Sequence, residues 1–256
     1  MSERFFVKRP VRATGWAFLL LTLVFGIPAE SVITQHGDSS QMAHDHGDSS
    51  GHTAGPQWEG SLEGIAYSDR NHHVAGILVL LIGLTELREA LTITFLAWLR
   101  FLLPAAMLSA GSLLMIWSDH DAWPIGSLNL AETFYGIDHE ILQHKLYSIL
   151  SLVVGLIELL RRAGRLPHAF WNVPLPAFAV IGGLMLFLHS HGIHPSAQAI
   201  AFNHAVMGTM AIVAGSCKLI SAQAAPPSSP AGLSRWKLAW AGFILLIGLQ
   251  LLFYSE

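Results

Sequence analysis

Residues 72–87 read HHVAGILVLLIGLTEL, and residues 144–159 read HKLYSILSLVVGLIEL; half of these sixteen positions are identical, among them His72 with His144, Gly83 with Gly155 and Glu86 with Glu158. The same 72-residue offset runs on without a gap, aligning Leu103-Pro104-Ala105 and Gly111 to Ser118 with Leu175-Pro176-Ala177 and Gly183 to Ser190. A more diverged third copy reads His204-x3-Gly208-x6-Gly215-x2-Lys218-Leu219, and Gly248 and Ser255 then keep the spacing of Gly111 and Ser118. Self-similarity at a fixed period marks a repeated supersecondary unit. The unit is an apolar helix and its return, so the sequence predicts an all-α, six-helix bundle of three repeated helical hairpins over about 72–120, 144–192 and 204–256.

The solvent of that bundle follows from composition. Hydrophobic residues make up 52% of the chain and charged residues 12%, and the mean hydropathy is +0.49, outside the range of an ordinary soluble domain. Apolar runs near 14–30, 73–88, 98–117, 146–160, 174–190, 204–220 and 237–254 approach the roughly twenty helical residues that cross a hydrocarbon core about 30 Å thick. The chain therefore reads as a polytopic membrane protein. Lys8, Arg9 and Arg12 before the run ending at Ile27-Pro28-Ala29 make residues 1–30 a signal peptide or a signal-anchor first helix.

Orientation follows from the cations. With the N-terminus inside, inner connections collect Arg88, Arg100, Arg161, Arg162, Arg165, Lys218, Arg235 and Lys237, while the outer ones hold Arg70 and Lys145. The outer side instead carries most of the carboxylates and every histidine except His168. The expected location is a bacterial inner (cell) membrane, multi-pass, with residues 31–71 outside in the periplasm.

Residues 31–71 are rich in Gly, Ser, Asp and His and poor in apolar residues, which predicts a flexible tether. Its His36, His44, His46 and His52 form weak, exchangeable metal sites in His-Gly and His-Asp spacing, or else a solvated acidic linker. The Pro-rich stretch around Pro226, Pro227 and Pro230 reads as an inner linker.

At about 100° per residue, positions 0, 4, 11 and 14 of each leading helix share a face. His72, His144 and His204 thus lie with the small residues that let membrane helices approach closely, and should converge in the bundle. Each return helix adds a candidate after its serine: Asp119, His191 and Glu256. The densest local signal is His189-Ser190-His191-Gly192-Ile193-His194, followed by His204. The other outer connections offer Asp119-His120-Asp121 and Asp138-His139-Glu140, each either ligand or solvated loop. The candidate metal ligands are therefore His72, Asp119, His120, His144, His189, His191, His194 and His204. Glu86 and Glu158 fall about 21 Å further along their helices, beside Arg88 and Arg161, where ion pairs at the inner interface are the plain reading and a proton path the alternative.

Imidazole and carboxylate ligands suit divalent copper or zinc, and the lone Cys217 within a helix offers no thiolate cluster. The first functional expectation is a metal-handling membrane protein, for copper or else zinc, engaged in binding, uptake, delivery or resistance. Its partners would be the lipid bilayer, the ion, and a periplasmic metallochaperone or respiratory complex. The second is a b-type cytochrome with one haem b in the outer half between facing histidines. The third is an accessory subunit without metal, whose outer histidines titrate or dock a partner. No catalytic residues stand out, so an enzyme is not expected.

In plan, a His-rich outer segment followed by helices with His72, His144 and His204 at their outer ends, the chain resembles bacterial copper-resistance and copper-uptake membrane proteins of the CopD type. More loosely it is similar to the cytochrome b561 group, although the one-sided histidines depart from that group's two-haem arrangement. There is no P-loop, no dinucleotide-binding glycine fingerprint, no Ser-His-Asp motif, and no outer basic patch for nucleic acid.

Overall fold

The computed structural model describes residues 60–189, 197–223 and 234–255, and every regular element among them is helical. The α-helices are α1 Leu62–Ala90, α2 Leu102–Trp117, α3 Leu130–Tyr135, α4 His139–Arg162, α5 Pro174–Phe187, α6 Ala197–Gln223 and α7 Arg235–Leu252. Short 3-10 turns, Ala97–Phe101 and Ala169–Asn172, lead into α2 and α5. Among the described residues, five segments are long and apolar enough to cross a membrane: Ala97–Trp117, His139–Arg162, Ala169–Phe187, Ala197–Gln223 and Arg235–Leu252. The chain is an all-α, multi-pass membrane protein. The expected signal or anchor helix, residues 1–30, lies outside the described residues.

An exposed apolar stripe supports this solvent assignment. Leu146, Ile149, Val153, Leu156 and Leu160 recur along one face of α4 and are all exposed, a spacing that would leave a continuous greasy surface in water but suits contact with acyl chains.

α1 begins at Leu62, well upstream of His72, so the tether expected over 31–71 overlaps this helix. The polar composition of 62–71 hid that first part. It is held by Ser61, whose side chain caps Gly64 N, and by Tyr67 Oη and Asn71 Nδ2, which donate to Trp117 O at 2.6 and 2.9 Å. α1 also carries Glu86, Arg88 and Glu89 near its end and is not among the five apolar spans.

The tightest packing is α1 with α7, α5 with α6, and α2 with α4, followed by α6 with α7 and α1 with α2. These closest pairs are not the expected hairpins; each leading helix packs most extensively on the return helix of another unit. Glycines on both partners explain the choice. A Cβ on Gly183 would stand 2.6 Å from Gly208 O, and one on Gly208 would stand 2.7 Å from Gly183 O. Gly83 and Gly248 take the same role between α1 and α7, as do Gly111 and Gly155 between α2 and α4. Lipid tails are as apolar as leucine, so such close van der Waals contact, rather than water exclusion, holds membrane helices together.

An apolar core gathers Leu103 and Met107 from α2, Val154 from α4, Leu175 and Ala179 from α5, Ala214 from α6, and Trp240 and Ile244 from α7. Polar side chains collect at the two ends of the bundle, histidines at one and arginines at the other.

Candidate metal centre

The histidine end is built on the start of α4. Asp138 is the N-cap and accepts from Glu140 N at 2.9 Å and Ile141 N at 3.2 Å. Its carboxylate is spent on the helix start, whereas Glu140 and His144, four residues apart, lie on one helical face. Asp119, directly after α2, meets that face: His144 Nδ1 donates to Asp119 Oδ1 at 2.8 Å. On its other side Asp119 accepts from Ser118 Oγ and faces Lys145 Nζ at 3.6 Å. The Lys145 ammonium, fully buried, donates to Met115 O at 2.8 Å. Burial works to raise the Asp119 pKa, but the charge of His144, hydrogen bonds from His144 and Ser118, and the Lys145 charge outweigh it and hold the carboxyl below its ordinary range.

His189, just past the end of α5, joins from the opposite side. Its Nδ1 lies 2.9 Å from Gln143 Oε1, and Gln143 Nε2 lies 3.5 Å from Leu188 O. Its Nε2 lies 3.7 Å from Glu140 Oε1. One ligand atom from each of Glu140, His144 and His189 falls within 4.8 Å of the others.

From there the imidazoles continue in file. The ring centroids of His144 and His189 are 4.9 Å apart, those of His189 and His204 5.1 Å, and those of His204 and His72 6.2 Å. His72 stacks on Tyr254 at 4.0 Å, with its Nδ1 2.9 Å from Ser68 O. Its neighbour His73 turns away and places Nε2 2.9 Å from Tyr254 O.

The structure thus brings together His72, Asp119, His144, His189 and His204 of the expected ligands. His120 lies against Asp121 at 3.1 Å and edge-on to Tyr67. His191, His194, Glu256 and the tether histidines His36, His44, His46 and His52 lie outside the described residues. Glu140 gains most over its sequence reading; the i, i+4 relation to His144 carried the signal once the helix was known to begin at His139. Gln143, Lys145 and Tyr254 had no sequence signal.

The opposite end holds a second buried cluster. Glu86 accepts from Arg162 Nη2 at 2.6 Å, from Trp240 Nε1 at 2.7 Å and from Lys218 Nζ. Glu158 accepts from Arg161 Nη2 at 2.7 Å and Arg162 Nε at 3.1 Å. The expected neighbour of Glu86, Arg88, instead donates to Phe95 O at 2.8 Å and ties down the turn leading into α2. That turn holds Thr92 and Leu96 at φ of 55° and 54°, a left-handed conformation that side chains rarely adopt. The three residues at position 14 of the leading helices, Glu86, Glu158 and Lys218, are therefore members of one charge cluster.

The chain matches no protein-family model, no curated protein and no solved structure. The class is fixed by the fold alone: a helical, multi-pass membrane protein with a histidine-rich polar cluster at one end of its bundle.

Proposed function

We propose that this is a membrane metal-handling protein, for copper or else for zinc, whose site is the His/carboxylate cluster at the histidine end. The observation that carries the reading is the file of four imidazoles, His144, His189, His204 and His72, flanked by Asp119 and Glu140. Nitrogen and oxygen donors in this mixture suit borderline divalent ions. The positive-inside pattern supports an orientation with this end at the periplasmic face of a bacterial inner membrane, where the tether histidines would raise the local ion concentration.

The account also takes the bundle as three copies of one unit. In support, Leu103, Leu175 and Trp240 each lie eight residues before the return-helix glycine, and all three are buried in the core. Haem b in the same place is disfavoured, because His72 is stacked on Tyr254 and His204 is packed between His72 and His189. A macrocycle would have to part those rings. Elemental mass spectrometry on the purified protein tests the reading: stoichiometric copper or zinc supports it, iron with a haem spectrum turns it to the cytochrome, and no metal leaves the accessory subunit.

A further inference from the structure

We propose that the ion is held by Glu140, His144 and His189, through Nε2 of both imidazoles and one carboxylate oxygen, and that Asp119 and Gln143 are positioning residues rather than ligands. The inference rests on the metal-handling reading above and names the coordinating atoms within it.

Tautomer chemistry carries the argument. A carboxylate oxygen can only accept, so the 2.8 Å contact with Asp119 Oδ1 requires His144 to hold its proton on Nδ1. Gln143 Oε1, 2.9 Å from His189 Nδ1, imposes the same tautomer there. With each ring neutral, as metal ligation requires, the lone pair resides on Nε2, the nitrogen a divalent metal takes up. A metal-bound histidine commonly donates its other N–H to a carboxylate or carbonyl, which fixes the ring and raises its basicity. Asp119 and Gln143 stand in that relation to His144 and His189.

Asp119 was expected from sequence to coordinate, but both of its oxygens are engaged, Oδ1 by His144 and Oδ2 by Ser118 Oγ, with Lys145 Nζ 3.6 Å from Oδ2. Asp119 and Lys145 balance one another's charge. Glu140 is the carboxylate whose oxygen faces an imidazole Nε2, at 3.7 Å from His189. Two imidazoles and one carboxylate leave coordination positions open for water or a transferred ligand. The ligand class is a divalent first-row cation of the copper or zinc kind.

The test uses the full-length chain in detergent, with His36, His44, His46 and His52 changed to Ala to clear weak tether sites, titrated with Cu2+ and read by electron paramagnetic resonance. In this background we expect one tight Cu2+ with nitrogen couplings from imidazole. Glu140→Gln should lower affinity at least about 100-fold and change the spectrum, because a ligand is lost. Asp119→Asn should lower affinity by about 10- to 100-fold and leave the spectrum as it was, because the ligand set is intact; a purely structural Asp119 would move thermal stability without this split. His189→Asn, past the end of α5, gives a second route to ligand loss should a helix variant fail to fold. An unchanged affinity in Glu140→Gln, or a changed ligand set in Asp119→Asn, overturns the triad while leaving metal handling in place. No Cu2+ binding by the starting chain overturns both.

Discussion

Glu86→Gln probes how the arginine end of the bundle is held together. The amide keeps the shape of the carboxylate but only one acceptor oxygen; because Oε1 accepts from Arg162 and Oε2 from Lys218 and Trp240, the change removes the charge and turns an NH2 toward at least one of these donors. Arg162, at 2.6 Å, and Lys218 each lose a negative partner, in a place where the Glu86 side chain is 1% exposed and that of Arg162 5%. Removing one member of a buried ion pair costs about 3–5 kcal/mol, because the remaining charge is left uncompensated. Arg162 still reaches Glu158 at 3.1 Å, and Lys218 is 16% exposed. Both relieve the penalty, so the expected cost is near the lower limit, about 3 kcal/mol. Lys218→Met leaves Glu86 to Arg162 and Trp240, and should cost less, about 1.5 kcal/mol, the worth of one hydrogen bond to a charged group. Because the two residues share one interaction, the double variant should fall short of additivity by about 1 kcal/mol or more. The assay is tryptophan fluorescence during heating in one detergent at one scan rate, since unfolding of such proteins is often irreversible. At roughly 2–4 °C per kcal/mol for a chain of this size, Glu86→Gln should lower Tm by roughly 6–12 °C. A Tm within about 2 °C of the unaltered protein, or strict additivity in the cycle, would refute the charge cluster as a structural clamp.

Other perturbations separate packing from metal binding. Gly208→Leu should disperse the protein into aggregates on size exclusion, because even a Cβ there would stand 2.7 Å from Gly183 O, a backbone atom that cannot rotate away; a monodisperse variant would mean that this face meets lipid. His120→Ala should leave bound metal unchanged, since His120 pairs with Asp121 and packs edge-on to Tyr67; loss of metal would place it in the site after all. Deleting residues 31–56 should slow metal loading of the cell-expressed protein without lowering its final stoichiometry, and a metal-free product would make the tether the site itself.

Much of the bundle can be read from the sequence because a membrane span needs a long apolar run, and α4 and α6 each contain the run expected for them while α7 contains all but the last two residues of its own. The convergence of His72, His144 and His204 was likewise legible, since 100° per residue puts each on the small-residue face. The upstream part of α1 was not, because Ser61 capping and hydrogen bonds to Trp117 O are tertiary facts that its polar composition conceals. α3 had a local signal that hydropathy overlooks: Asn129 and Glu132 form a capping box, with Glu132 N donating to Asn129 Oδ1 at 3.0 Å. Which helices pack most closely was not legible, because glycine-to-backbone fit, rather than adjacency in sequence, decided the contacts. Arg88 and Arg162 exchanged their expected importance for a similar reason: a residue's partner depends on which neighbouring helix comes close, and spacing along one helix does not contain that.

The central claim is that the imidazole file holds a metal ion. The most direct test is the metal content, by elemental mass spectrometry, of the unaltered protein and of a His144→Ala/His189→Ala variant, purified side by side. The account predicts stoichiometric copper or zinc in the first and little in the second; no metal in the first, or equal amounts in both, would contradict it.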